Sequence, residues 1–422
     1  MRSSLPLFAA GVFALGLALA CGHEVLEPGS QANGSGGPSS PPPNPTSTTT
    51  PDGPPSPPTP GFDKGTLLSA LADCAVSVYT DASAKTSALA AAVTALVATP
   101  ADATARDAAR SAYYAAMDAW QVAEVFQFGP LGMNSSPGGQ ELRDPVYSWP
   151  LFSRCAIEGN LVSQRYTQPE LATDPINTRG LMAVEYMLFY DGAENACLPA
   201  NPINAQGTWA ALGPELPARR AAYAKVVTDD LARRTSELVA SWGPEGQNFA
   251  TAFKTAGRGS TVYPSDQSAL NAVNLGLFYI EGDVKDMKLA WPANVSGHCA
   301  EATCPQGLES QFANASRDHI VKNLEGFRKL FVSCDGNAAG LGFAAYLRAA
   351  NAAPLADRMT QELDASIALA NGIEDRSLRT ALADGRVRGL YDQVKKVTDD
   401  LKTEFVTVLD LELPKEIQGD ND

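Results

Sequence analysis

From Gly61 onward the apolar positions recur with the spacing of helices, and no alternating run of β-branched residues appears. An Ala/Leu/Val-rich segment from Thr66 to Ala98 is halted by Thr99-Pro100. A second helix runs from Ala101 to Phe128, with Asp102 near its cap and Gly129-Pro130 as its stop. Residues 129 to 178 form a long irregular stretch carrying Pro137-Gly138-Gly139, Asp144-Pro145 and Ser148-Trp149-Pro150; a stretch this long either has a function or packs as short helices of its own. In Arg179–Phe189, Leu181, Val184 and Leu188 recur at i, i+3 and i+7, which predicts a helix facing a core. A polar loop follows from Asp191 to Gly207. Helices resume over Pro217–Trp242 and Ser265–Leu289, then a loop from Trp291 to Gly307. The last predicted helices cover 316–332, 341–350, 354–372 and 377–413.

The pattern is interrupted at Gly243-Pro244-Glu245-Gly246 and Gly257-Arg258-Gly259. The reading is therefore an all-α fold of two packed helical bundles, 64–250 and 251–422. Residues 1–20 carry Arg2 followed by an uncharged apolar stretch, the pattern of a signal peptide and too short for a mature membrane span. Ala18-Leu19-Ala20 before Cys21 fits signal peptidase cleavage and also resembles a bacterial lipobox, with Ala18 and Leu19 in reversed order. Cys21-Gly22 ahead of a long tether favours lipid attachment at Cys21. The segment 21–63 is dominated by Pro, Ser, Thr, Gly and Asn and cannot bury a core, so a disordered linker is expected. A coil of about 40 residues spans roughly 35 Å, enough to hold a domain clear of a membrane. The expected location is the cell envelope.

The net charge of −15 argues against nucleic acid and anionic membrane surfaces as partners. Besides Cys21 there are six cysteines, an even number in an exported chain, and disulfides are expected. Cys299–Cys304 is the favoured pair because its loop is short and polar. Of the three pairings open to the other four, Cys155–Cys197 is preferred, which leaves Cys74 with Cys334. A zinc site at His298-Cys299-x4-Cys304 lacks the second ligand pair it would need.

Chemistry centres on Glu185, one carboxylate inside an apolar helix. A buried carboxylate needs a cation, a hydrogen-bond donor or a metal. Met182 lies three residues away on the same face. Glu124 is a candidate partner for Glu185 in an acidic cleft for a cation or a basic ligand group; the competing expectation pairs each acid with an arginine such as Arg154 or Arg179. Asp283, Lys285, Asp286 and Lys288 form a ladder of mixed charge, ordinarily a solvated face. No Ser/His/Asp order, Cys/His nucleophile pair, phosphate loop or His-Glu-x-x-His sequence is present.

Gly180-Leu181-Met182-Ala183-Val184-Glu185 resembles the Gly-x-His-x-x-Glu motif of the imelysin family, with Met182 in place of the histidine. Trp120–Glu124 followed by Phe128-Gly129-Pro130, Ser148-Trp149-Pro150-Leu151, Asp283–Leu289 with Trp291-Pro292, and the stretch from Leu411 to Gly419–Asp422 resemble further family segments in order and spacing, so the likeness covers about residues 65 to 422. The resemblance implies an all-helical envelope protein of two bundles, an outer-membrane lipoprotein facing the periplasm or the cell surface, linked to iron uptake and in some members to peptidase activity. It raises Gly180, Met182, Glu185, Glu124, Asp283, Lys288 and Trp149 as ligand-binding candidates, with Glu185 the candidate ligand for a divalent metal such as iron or zinc. A thioether suits copper(I) better than hard cations and cannot act as a base. With only His23, His298 and His319 in the chain, a zinc peptidase has few ligands to draw on. The expectation is a non-catalytic or degenerate binder of a small ligand, metal or peptide; the alternative is a metal-dependent peptidase.

Overall fold

The computed structural model describes residues 61–168, 173–415 and 417–418. The expected signal peptide, Cys21, the tether up to residue 60 and the ending at 419–422 lie outside the described residues. Among those that are described there are helices and turns and no strands, as the apolar spacing predicts.

Helix α1, Lys64–Ala98, starts where Asp63 accepts hydrogen bonds from the amides of Gly65 (2.9 Å) and Thr66 (3.2 Å), satisfying two of the free N–H groups of the first turn. It ends at Thr99-Pro100. Helix α2, Ala103–Ala123, is capped by Asp102, which accepts from the amide of Thr104. Helix α1 packs against α2 on one side and against the helix Leu216–Trp242 on another, forming the first bundle. Thr86 and Thr235 meet at 2.7 Å between α1 and that helix, each hydroxyl also returning to its own backbone. One end of the bundle closes on Trp242, whose ring lies 4.8 Å from Phe249 and 5.7 Å from Phe128, both edge-on. Side chains of that size each contribute about 2–3 kcal/mol on full burial.

The second bundle comprises Ser316–Phe331, Ala353–Asn371 and Arg386–Asp400, with the wide-turned π-helix Ile280–Ala290 against the last of these. The expected helix over 265–289 is thus two pieces, α-helical over Asp266–Leu277 and π-helical after Tyr279. The amide of Trp291 reaches back five residues to the carbonyl of Asp286 (2.9 Å), the bond that defines the wider turn. The expected 377–413 helix breaks at Gly385, which has φ +82°. Within the long 129–178 stretch, the helix α3, Arg154–Ser163, forms behind Ser153, which accepts from the amide of Ala156 at 3.3 Å.

Helix α2 also packs on Ser316–Phe331 and joins the bundles. Among the described residues the disulfides are Cys299–Cys304 and Cys155–Cys197, the two pairs the sequence favours, and Cys74–Cys334. The last joins α1 to the end of the Ser316–Phe331 helix across 260 residues of chain. None of the described helices is long and apolar enough to cross a membrane.

A cross-link closing so long a loop removes conformational freedom chiefly from the unfolded chain. The double variant Cys74→Ser/Cys334→Ser is expected to lose about 4 kcal/mol of stability. Its thermal midpoint under oxidising conditions should fall by several degrees; an unchanged midpoint would show that the crossing contributes nothing.

Candidate functional site

Helix α4, Gly180–Phe189, is buried on every side from Gly180 to Leu188, which makes it a central helix rather than a one-faced one. Gly180 has φ +76°, and a Cβ there would stand 2.7 Å from the carbonyl oxygen of Val146. The helix therefore begins where only glycine fits, against a backbone that accepts the amide of Leu181 at 2.9 Å. From this start Met182 and Glu185 point to one face.

Glu185 is 2% exposed and lies in a cage of donors. Its Oε1 accepts from the Ser310 hydroxyl (3.1 Å) and the backbone amides of Phe312 (2.9 Å) and Ala313 (3.0 Å). Its Oε2 accepts from the Tyr113 hydroxyl (3.0 Å). Burial raises its carboxyl above the ordinary value, while the Ala313 amide, His319, the Phe312 amide and Tyr113 pull the other way. Four donors aimed at two oxygens suit an ionised carboxylate, which only accepts. No arginine takes part, so the expected Arg154 or Arg179 partner is replaced by neutral donors; Arg154 instead binds Glu158 at 2.6 Å.

Beside this cage lies a buried ion pair. Glu309 accepts from the Tyr147 hydroxyl (2.5 Å), and Lys288 Nζ stands 2.9 Å away. Lys288 also donates to Gln121 Oε1 (2.7 Å) and Asn323 Oδ1 (2.8 Å), which uses all three ammonium protons. His319 Nδ1 lies 3.1 Å from Glu309 Oε2. Burial pushes the Glu309 carboxyl up, but Lys288, His319 and Tyr147 together outweigh it and hold it at about 2. Lys288 is thus buried between bundles, not part of a solvated ladder.

Met182, Glu185, Glu309 and Trp149 line one cavity of about 150 Å³, walled by Trp291 and Phe312. The two indole rings lie 6.3 Å apart. Gly307 lets the chain pass the Trp291 ring, where a Cβ would come within 2.9 Å. The Cys299–Cys304 bridge closes the loop just before it. Lys288 and His319 both stand against Glu309, while the groups that hydrogen-bond Glu185 itself are all neutral donors. The cavity's aromatic walls and the Glu185 carboxylate suit a small ligand carrying a cationic or strongly donating group.

The other predicted acids sit elsewhere. Glu124 is buried against Arg143, with contacts of 2.8 Å and 2.7 Å, rather than with Glu185, Arg154 or Arg179. Asp283 lies 3.9 Å from the same guanidinium and is partly exposed; burial raises its carboxyl to about 6 against the pull of Arg143. Both belong to a separate cluster with Tyr279. Sequence reasoning missed Glu309, His319, Tyr113 and Ser310. Glu309 alone left a trace, an acid between Leu308 and Ser310 just past the disulfide loop.

The cage predicts different fates for two substitutions. Glu185→Ala strands two amides and two hydroxyls and should cost about 4 kcal/mol in urea unfolding. Glu185→Gln keeps the oxygen that takes three of the bonds, and its amide can donate to Tyr113, so the loss should stay near 1 kcal/mol. Equal losses would contradict the cage. Glu309, with its folded value lowered to about 2 from 4.5, contributes stability that is present above pH 4.5 and lost as pH falls towards 2. Glu309→Gln should flatten that acid limb in stability measured against pH, at a cost of about 3 kcal/mol at neutral pH from the stranded Lys288. An acid limb as steep as in the unsubstituted protein would contradict the pairing.

Residues 75–403 match the family model described as imelysin. No curated protein matches the chain. Among solved structures, an imelysin-like protein from Psychrobacter arcticum 273-4 superposes with a TM-score of 0.61 at 17% identity, covering 83% of this chain and 96% of that one. A protein described as an iron-regulated protein A precursor from Parabacteroides distasonis ATCC 8503 gives 0.61 at 19% identity, covering 82% and 94%. At such identities the superpositions speak for the fold, and the match over residues 75–403 carries the family: the chain belongs to the imelysin family.

Proposed function

We propose that this protein is an exported member of the family, attached to the envelope through Cys21, that binds a small cationic or donor-bearing ligand in the Met182–Glu185 cavity and does not cleave peptides. The observation that carries the reading is the shared cavity. It brings the Glu185 carboxylate, hydrogen-bonded only by neutral donors, into one chamber with two indole rings and a thioether. Met182 cannot take or give a proton, and three protein donors share Glu185 Oε1, which leaves Oε2, bonded only by Tyr113, as the oxygen open to a ligand donor. Among the described residues no group of three His, Cys, Asp or Glu side chains is placed to hold a metal ion. The residues present therefore do not fit a divalent iron or zinc centre of the kind a metallopeptidase needs. A structural relative described as an iron-regulated protein A precursor supports export.

Trp149 and Trp291 make the cavity its own reporter. Benzylamine, an aromatic cation of suitable size, should change tryptophan emission saturably. Glu185→Gln, which keeps the fold but removes the charge, should weaken that binding by about tenfold or more. Protein purified without chelator should hold only substoichiometric iron and zinc and leave unstructured peptides intact. Stoichiometric metal that disappears in Glu185→Gln, together with peptide cleavage, would overturn the proposal in favour of a metallopeptidase.

A further inference from the structure

A second cavity, of about 160 Å³, opens at the opposite end of α4, where Met187, Leu188 and Tyr190 meet Arg106 and Arg220. Its electrostatics are the reverse of the first. Arg220 is 6% exposed, yet among the described residues no carboxylate lies within ion-pair reach. Two of its nitrogens donate to the carbonyls of Tyr190 (2.7 Å) and Gly192 (2.9 Å), and its buried Nε has no hydrogen-bond partner. The guanidinium stacks near the Tyr186 and Tyr190 rings, at 5.6 and 5.2 Å. Carbonyls at a helix end and ring faces carry only partial negative charge, so a full positive charge stays largely unanswered in a low-dielectric place.

The acid at the rim does not answer it. Asp191 is gripped by both oxygens from Arg110, at 3.1 and 2.9 Å, and is two-thirds exposed. Arg106 stands 3.7 Å from Asp191, and its other polar contact is a 3.4 Å bond to the Pro100 carbonyl. Arg106 is thus loosely held and free to turn its planar fork towards a ligand. Three guanidiniums with one carboxylate, in a chain whose net charge is −15, form an island of positive charge. Leu188, Met187, Leu96 and Pro100 add apolar wall.

We infer that this cavity binds a small organic carboxylate, its anionic head between Arg106 and Arg220 and its apolar body against Met187 and Leu188. Guanidinium forks match carboxylates geometrically, and an apolar body would use walls that a bare inorganic anion leaves untouched. The site is separate from the Glu185 cavity and takes a ligand of opposite charge.

The test uses the folded chain and 4-fluorobenzoate, followed by fluorine NMR. Saturable broadening is expected, competed by benzoate, weakened about tenfold in Arg106→Gln, and unchanged in Glu185→Gln and in the presence of benzylamine. Arg106 is a third exposed, so its loss leaves the fold in place, and a circular dichroism spectrum checks this. Absence of broadening, or broadening that Arg106→Gln leaves unaltered, would overturn the site. Competition by inorganic phosphate as strong as that by benzoate would overturn the assignment of an organic carboxylate.

Discussion

The structure depends on satisfying one charge that cannot reach water. Glu185 sits at the middle of a helix buried on all sides, and the donors that accept it there come from two distant parts of the chain. Tyr113 belongs to α2, while Ser310, Phe312 and Ala313 belong to the loop ahead of the Ser316–Phe331 helix. Leaving such a carboxylate without partners would cost several kcal/mol, a sizeable share of the net stability of a typical domain. The donors, and with them the positions of the two bundles, are therefore constrained together. The Lys288–Glu309 pair beside it ties the same two parts through Gln121, Asn323 and Tyr147.

This constraint also shapes the cavity. Bringing 308–313 against α4 places Trp291, Phe312 and Glu309 opposite Met182 and Trp149. The interactions that stabilise the seam therefore leave a small aromatic chamber with a carboxylate in its wall. Where a histidine in the motif would offer a proton or a metal ligand, the methionine offers only polarisable surface. A thioether neither gives nor takes a proton, so no proton transfer runs through this side chain.

Much of this was legible in the sequence. Helical periodicity gave an all-α chain, the short polar Cys299–Cys304 loop pointed to its own bridge, and a lone acid among Leu181, Val184 and Leu188 marked the site. The ladder over Asp283–Lys288 misled, because the π-helix turns Lys288 into the core while Asp283 stays partly exposed, and residue spacing assumes the tighter α-turn. The partners of Glu185 and Glu124 were out of reach for another reason. Backbone amides of a loop leave no mark in residue identity, and Arg143 pairs with Glu124 only through the way the 129–178 stretch folds back. Helix α3 was hidden by its brevity between irregular segments.

The central claim is that Glu185 is an ionised carboxylate held by neutral donors in the protein's interior. Isotope-edited infrared difference spectroscopy between the native protein and Glu185→Gln, at neutral pH, addresses it directly. The account predicts that the difference is a carboxylate stretching band. A protonated carbonyl band in its place would show that the acid is neutral and would contradict the account.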